Sequence, residues 1–204
     1  MTHGPRDDPR VEIEGCTRAS DGYFKLDRYT LRHRTHDNGW TPTLVREVLE
    51  RGRTVTLLPY DPVADAVVLV EQFRIGAFTA GLDAWQTEIV AGEMDAGEAA
   101  VDVARRETVE EAGCEVTHIE RIGTFLLSSG SSSEVSEMFC GCVDSSGAGG
   151  IHGLAEEGED ILVSVVPAFE AIARVGDGGV VSGYAVIPLQ WLAINRERLR
   201  AAWT

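Results

Sequence analysis

The chain has 204 residues, 33 of them acidic and 18 of them lysine or arginine, which gives a formal net charge of −15. That length suits one medium domain with a small extension, and the acidic excess argues against a nucleic-acid or acidic-membrane surface as a partner. Because no apolar run approaches the ~20 residues of a membrane span and the start lacks a signal-peptide segment, we expect a cytoplasmic protein.

The N-terminal quarter predicts a small antiparallel β unit. Strand patterns begin in VEIEGC, GYFKLDRYTLRHR and TLVREVLE, with turn sequences SDG and DNG between them. We assign residues 1–52 to this unit and residues 53–204 to a second domain. A unit of about 40 residues buries too little apolar surface to stand alone, so it must pack on its own chain or on a neighbouring one.

The second domain alternates strands with a few helices, which predicts an α+β or mixed α/β sandwich. The composition of SSGSSSE, residues 128–134, predicts a loop, and a longer glycine-rich, acidic loop covers residues 145–160. The predicted strands, in chain order, are 54–59, 66–73, 85–90, 119–127, 136–143 and 161–166, and two helices are predicted at 167–175 and 188–203.

A further helix, between Gly97 and Gly113, carries the most informative pattern. At about 100° per residue, Glu107, Glu110 and Glu111 fall within an arc of roughly 100° on one face. A solvated acidic face is the ordinary interpretation of such a cluster.

An apolar stripe on the same helix weighs against a solvated face. Small and aliphatic residues precede the glutamates on nearly the same arc, so the carboxylates continue an inward-facing stripe. Inward carboxylates need a proton or a cation, and hard divalent ions such as Mg²⁺ take oxygen ligands. The residues of this stripe are Ala100, Val103 and Ala104.

The segment GEMDAGEAAVDVARRETVEEAGC fits the pattern G-x5-E-x7-R-E-U-x-E-E-x-G-U, where U is a bulky aliphatic residue. Only the U positions, Thr108 and Cys114, are small. On this motif the chain is identified as a member of the Nudix superfamily, whose fold is an α/β/α sandwich. The fixed positions are Gly92, Glu98, Arg106, Glu107, Glu110, Glu111 and Gly113.

Flanking segments narrow the resemblance. LLPYDP, VLVEQFRIGA, GIHGLAEEGEDI and VIPLQWL resemble the bacterial ADP-ribose diphosphatase branch, to which GDP-mannose hydrolases are closely related. The resemblance implies a homodimer and a Mg²⁺ cofactor, or Mn²⁺ in its place. It implies Glu157 or Glu159 as the catalytic base, Glu98 and Arg106 as a structural ion pair, and metal ligation by the Ala91 carbonyl, Glu107, Glu111 and Glu159, supported by Glu110.

The resemblance also implies a set of substrate contacts. Tyr23 and Phe24 resemble an aromatic position near the adenine that the partner chain supplies; the alternative is a core position. Glu93 stands where relatives carry an apolar residue. The other implied substrate-binding residues are Arg46, Glu47, Arg51, Arg74, Ser128, Ser129, Gly130 and Glu134.

The implied function is metal-dependent hydrolysis of ADP-ribose to AMP and ribose 5-phosphate. One alternative is the same chemistry on another nucleotide sugar, such as GDP-mannose or ADP-glucose. The other is a Nudix fold that binds ADP-ribose without turnover. Such sensors tend to lose glutamates of the motif, and all of them are present here.

Overall fold

A computed structural model describes residues 7–154 and 158–204. The chain divides into two compact units, which are described separately. The first contains the chain up to Arg53 together with the segment 126–135, and the second contains 54–125 and 136–204.

The first unit is built on a three-stranded antiparallel sheet, as the sequence predicts. Its strands are β1 (Val11–Asp21), β2 (Lys25–His33) and β3 (Leu44–Glu50), in the order β1-β2-β3. The segment 126–135 joins this unit through the backbone. The Leu49 amide donates to the Ser131 carbonyl at 2.8 Å, and the Ser133 amide donates to the Leu49 carbonyl at 3.0 Å.

The second unit is centred on a mixed sheet with the main order β10-β11-β5-β4-β9-β8, in which β6 pairs with β5 and β7 with β4. β4 and β5 are buried along almost their whole length, which explains their continuous apolar sequences. The strands are β4 (Arg53–Asp61), β5 (Ala66–Phe73), β6 (Trp85–Glu88), β7 (Val90–Glu93), β8 (His118–Phe125), β9 (Val135–Cys142), β10 (Gly150–His152) and β11 (Ile161–Pro167).

Helices cover both faces of this sheet, which confirms the predicted sandwich. On one face a core that includes Val68 and Val70 packs against α2, and on the other a core that includes Val67 and Leu69 packs against α3 and α4. No helix in the described part of the chain is long and apolar enough to cross a membrane. The helices are α1 (Ile75–Thr79), α2 (Ala100–Ala112), α3 (Ala168–Asp177) and α4 (Gly183–Trp203).

Several predicted boundaries differ from the structure. The apolar run at 85–90 forms two strands, β6 and β7, which pair with different neighbours and separate at Ile89. The last helix begins at Gly183 and holds Pro188 inside it, although proline favours the first turn. The glycine-rich loop contains β10, which pairs with β11, and the short helix α1 was not predicted.

Candidate metal and diphosphate site

The C-terminal half of α2 points its glutamates toward the sheet. Val103 and Ala104 are 1% exposed and Glu111 is only 3% exposed, so the predicted inward-facing stripe is confirmed. Glu107, one turn earlier, keeps 14% of its side chain exposed, and Glu110 keeps 31%. The helix therefore presents one buried carboxylate and one partly buried carboxylate on the face that packs against the sheet.

Strand β7 meets this helix at very close range. The Ala91 amide donates to Glu111 Oε2 at 3.0 Å, which fixes the buried carboxylate against the strand. A Cβ on Gly92 would lie 2.3 Å from the Cγ, Cδ and Oε1 atoms of Glu107. Glycine is therefore the residue that lets Glu107 approach the strand, which gives the first position of the motif a steric reason.

Arg106 holds the carboxylates at the edge of the site. Its guanidinium lies 2.7 Å from Glu107 Oε1, 3.3 Å from Glu110 Oε2 and 3.8 Å from Glu98 Oε1. Glu98 in turn accepts the Asp95 amide at 2.8 Å. The predicted Glu98–Arg106 ion pair is thus present, and it ties the loop before α2 to the helix.

The two small residues of the motif lie in the core, as the bulkier residues of the pattern would. Thr108 is fully buried, and its hydroxyl donates to the Ala104 carbonyl at 2.6 Å. Cys114 is 4% exposed. Between them Gly113 ends α2 at φ 65°, and the His152 ring packs so closely that a Cβ on Gly113 would lie 2.7 Å from it.

Burial, with added repulsion from neighbouring carboxylates, raises the pKa of both glutamates. Loss of hydration raises the pKa of Glu111 to about 8, and repulsion from Glu107 and Glu159 adds to that effect, while the Ala91 amide and Arg74 oppose it. Burial likewise raises the pKa of Glu107 to about 7, against the attraction of Arg106. These carboxyls therefore need positive charge beyond that of Arg106 and Arg74 to be fully ionised at neutral pH.

The acidic loop places the negative charge of Glu159 near the two helix glutamates. Its Oε2 accepts the Leu154 amide at 2.9 Å, and its charge acts on both helix glutamates. A Cβ on Gly153 would lie 2.7 Å from the Glu159 Cβ, so the loop folds tightly back on itself. Glu157, the other predicted base, lies outside the described residues.

Comparison with known proteins decides the family. The model of the NUDIX domain matches residues 50–201. The chain belongs to the Nudix family. Among its Nudix relatives, the ADP-ribose pyrophosphatase of Escherichia coli (strain K12) is 43% identical over 203 residues, which cover 100% of this chain and 96% of that protein. The ADP-ribose pyrophosphatase of Haemophilus influenzae is 40% identical over 95% of this chain and 90% of its own.

Two more distant Nudix comparisons are informative. The GDP-mannose pyrophosphatase of Yersinia pestis (strain Pestoides F) is 31% identical over 91% of this chain and 93% of its own. A solved structure titled "Crystal structure of ADP compounds hydrolase" superposes with a TM-score of 0.69 at 15% identity, over 94% of this chain and 98% of that one. The solved structure supports the fold, and the two ADP-ribose pyrophosphatases at 43% and 40% identity confirm the resemblance to the ADP-ribose branch.

Nudix hydrolases generally use divalent metal ions, and the donors present here fit one. Within residues 7–154 and 158–204, no three histidine, cysteine or acidic side chains converge into a complete metal site. The Glu107 and Glu111 carboxylates nevertheless offer hard oxygen donors on one face, and a cation there would offset the burial and the repulsion that raise both pKa values. A hard cation takes its remaining ligands from water and from phosphate.

Arg74 extends the Nudix site along the sheet. Its Nε and Nη2 atoms both lie 2.8 Å from Glu88 Oε2, and its positive charge reaches Glu111. Glu88 is 6% exposed and was missed in the sequence. The available signal was an acidic residue inside the apolar strand sequence TEIV, where a carboxylate has to find a partner.

In the first unit, four predicted substrate residues come together. The Arg51 guanidinium lies 4.7 Å from the centroid of the Phe24 ring and 3.8 Å from Glu134 Oε1. Tyr23 packs edge-on against Phe24 at 4.8 Å and is 85% exposed. Because both aromatic rings are exposed, the alternative of a core position is wrong for Tyr23 and Phe24.

The other predicted substrate residues make contacts of their own. Glu47 Oε1 accepts hydrogen bonds from Arg28 Nε at 3.1 Å and Arg28 Nη2 at 2.7 Å. The Arg46 guanidinium donates to the Val45 carbonyl at 2.9 Å. In the segment 128–130, the Ser128 hydroxyl lies 2.8 Å from that of Ser131, while Ser129 and Gly130 are exposed. Glu93, at the end of β7, is exposed opposite Thr54. The roles of these residues stay predictions.

The raised pKa values predict an unusual pH dependence for the metal-free protein. A carboxyl whose pKa moves from 4.5 to about 8 on folding makes the folded state bind more protons in that interval. The free energy of unfolding should therefore fall as the pH rises from about 5 to about 8, by on the order of a few kcal/mol. Chelator-treated protein would be unfolded in urea at several pH values.

Mg²⁺ should restore more stability at pH 8 than at pH 5, because the cation competes with protons for the same carboxylates. The matched control is Glu111→Gln, which should flatten the pH profile of the metal-free protein. The same slope in that variant would show that other groups cause the pH dependence.

Proposed function

We propose that this Nudix protein hydrolyses ADP-ribose to AMP and ribose 5-phosphate. The observation that carries the proposal is the buried Glu111 carboxylate beside Glu107, held on the strand amide of Ala91 and next to the cationic Arg74. The choice of substrate is supported by relatives named ADP-ribose pyrophosphatase at 43% identity over the whole chain, against 31% for one named GDP-mannose pyrophosphatase.

We assign Mg²⁺ as the cofactor, held by the Ala91 carbonyl, Glu107, Glu111 and Glu159, with Glu110 in support. When bound, a divalent cation neutralises the diphosphate and lowers the pKa of the attacking water. The chain's own contribution is positioning. Arg106 holds Glu107 and Glu110 in place, and the Ala91 amide orients Glu111.

The reaction adds water across one P–O–P bond. The oxygen of water forms a bond to one phosphorus, the bridging oxygen leaves with the other phosphate, and a carboxylate of the acidic loop accepts the proton. We assign Arg74 to binding the diphosphate, because its positive charge reaches Glu111. Such proton transfer is typically worth 10²–10⁴-fold, and charge neutralisation supplies more of the rate.

A panel of nucleotide sugars tests the substrate. The purified protein is incubated with Mg²⁺ and ADP-ribose, ADP-glucose or GDP-mannose, and phosphate is measured after a coupled phosphatase. We expect the highest kcat/KM for ADP-ribose. A higher value for GDP-mannose would assign the protein to the other substrate, and binding without turnover of any sugar would support the sensor alternative.

We predict that the base is a carboxylate of the acidic loop. Glu159→Gln or Glu157→Gln should lower kcat far more than it changes KM, because the proton is removed only in the transition state. Steady-state kinetics on ADP-ribose would measure this. Near wild-type kcat in both variants would place the base elsewhere, with Glu110 and His152 as the next candidates.

We also propose a homodimer in which the N-terminal unit takes part in substrate binding. In that unit β1 is exposed at almost every position, and the exposed Tyr23 and Phe24 rings lie beside Arg51. Deleting residues 1–50 should abolish dimerisation and raise KM sharply without unfolding α2. Light scattering at micromolar concentration, with kinetics on the same samples, measures both effects.

The alternative is a monomer whose N-terminal unit packs on its own chain. A monomeric full-length protein with full activity on ADP-ribose would contradict the dimer. The cytoplasmic location stays a prediction.

A further inference from the structure

A buried amide group lies beside the candidate diphosphate site without a hydrogen-bond partner. Gln72, on β5, is 8% exposed, and its Nε2 atom finds no acceptor within the described part of the chain. An amide donor that is buried and unpaired is costly, because it has lost its hydrogen bonds to water and gained none. Because most buried polar groups in folded proteins are hydrogen-bonded, an unpaired one suggests a role in function.

The strand register places Gln72 next to the Arg74–Glu88 ion pair. In the antiparallel pair β5·β6, Val70 is opposite Glu88 and Gln72 is opposite Gln86. Because side chains alternate along a strand, Gln72 and Glu88 project from one face of the sheet. Arg74 follows β5 in an extended conformation and continues the same alternation. Gln72 and Glu88 are diagonal neighbours about 7 Å apart, within reach of long side chains.

The ion pair is asymmetric in exposure. The Glu88 side chain is 8% exposed, whereas that of Arg74 is 42% exposed. Both guanidinium contacts go to the same oxygen, Glu88 Oε2. Arg74 can therefore rotate toward solvent and a ligand, while Glu88 has to stay in the interior. Whenever Arg74 leaves, a buried carboxylate loses its cation, which strongly disfavours that movement.

We propose that Gln72 is a positioning residue that replaces Arg74 as the partner of Glu88 when Arg74 turns to the substrate diphosphate. The amide then donates from Nε2 to the Glu88 carboxylate, so the donor that is unpaired in the ligand-free protein becomes paired in the complex. This lowers the cost of recruiting Arg74 to the phosphates. The inference rests on the proposed function only in that Arg74 is taken to bind a diphosphate.

A double-mutant cycle, measured as changes in Tm, tests the proposal without substrate. In the otherwise unchanged protein, Gln72→Met should raise Tm by about 2–4 °C, because an apolar side chain of similar volume replaces an unpaired donor. In an Arg74→Ala background Gln72 is the remaining partner of Glu88, so Gln72→Met should lower Tm by a similar amount. If Arg74→Ala does not fold, Arg74→Gln serves as the second background.

Gln86→Met is the matched control. Gln86 is 7% exposed on the same face of the sheet, but its Nε2 donates to the Asp83 carbonyl at 2.5 Å. Its replacement should lower Tm in both backgrounds. If Gln72→Met also lowers Tm in both, Gln72 is an ordinary structural residue and the inference is overturned.

A kinetic measurement completes the test. Gln72→Met should raise KM for ADP-ribose about tenfold and leave kcat nearly unchanged, since the pairing with Glu88 serves the bound substrate and its transition state equally. Gln86→Met should leave KM unchanged. An unchanged KM in an active Gln72→Met enzyme overturns the inference alone. A wild-type protein that does not turn over ADP-ribose overturns the proposed function. The double-mutant cycle in Tm still decides whether Gln72 can replace Arg74 as the partner of Glu88.

Discussion

Glu111→Gln should lower kcat on ADP-ribose by at least about 10²-fold, the effect expected when a preorganised charged group is removed from a phosphoryl-transfer site. The fold should survive, because glutamine keeps the size of the side chain and an oxygen that can accept the Ala91 amide. In the metal-free protein at pH 8 the variant should even be more stable than wild type, since a neutral amide replaces a buried charge.

The matched control is Asp102→Asn, which neutralises an exposed acidic residue in the first turn of the same helix. It should keep full activity and change stability by only a few tenths of a kcal/mol through its interaction with the helix dipole. Turnover unchanged in a folded Glu111→Gln protein would contradict the assignment of the metal to α2. Circular dichroism and steady-state kinetics on both variants are sufficient.

Gly92→Ala should damage the same site by a steric route. The new Cβ would meet three atoms of Glu107 at 2.3 Å, so the glutamate has to leave its place against β7. We expect the Mg²⁺ concentration needed for half-maximal activity to rise by about 10–100-fold, as it does when the support of a metal ligand is removed. The free energy of unfolding should fall by about 1–3 kcal/mol, the usual cost of overpacking.

Gly147→Ala is the control for this substitution, because Gly147 is exposed and a Cβ there meets nothing within 4 Å. It should leave the metal requirement unchanged. If Gly92→Ala has a wild-type metal requirement, Glu107 does not need its observed position, and its proposed role as a ligand is wrong.

Elements with a strong repeating pattern could be predicted from the sequence. β5 was predicted at its observed bounds because a strand buried on both faces is apolar throughout. α2 was predicted from its apolar stripe and its terminal Gly113. By contrast, α1 has only five residues and none is buried, so no periodicity marks it. The break at Ile89 depends on which strands pair with β6 and β7, and pairing is a tertiary property.

The sequence also could not predict which segments distant in the chain pack together. The residues 126–135 follow a strand of the second unit but join the first, through hydrogen bonds between Leu49 and the serine segment. Nothing in the composition of SSGSSSE indicates that partner. A local pattern predicts a loop, but the strand edge on which a loop lies is decided by contacts between residues far apart in the chain.

At the site, the sequence predicted the residues that carry charge on a helix and missed those buried in a strand. Glu107 and Glu111 were identified because the helical spacing places them on one face. Glu88 and Gln72 escaped because a single polar residue in a strand usually faces solvent. Both are buried on the face of the sheet that carries Val70, which packs in the same core as α2, and this arrangement is visible only in the folded structure.

Hydrolysis of ADP-ribose should break a P–O bond of its diphosphate linkage. The most direct test is product analysis by anion-exchange chromatography after incubation of the purified protein with ADP-ribose and Mg²⁺. We expect AMP and ribose 5-phosphate in equal amounts, with no product after a chelator is added. Intact ADP-ribose at high enzyme concentration, or products that retain the diphosphate, would contradict it.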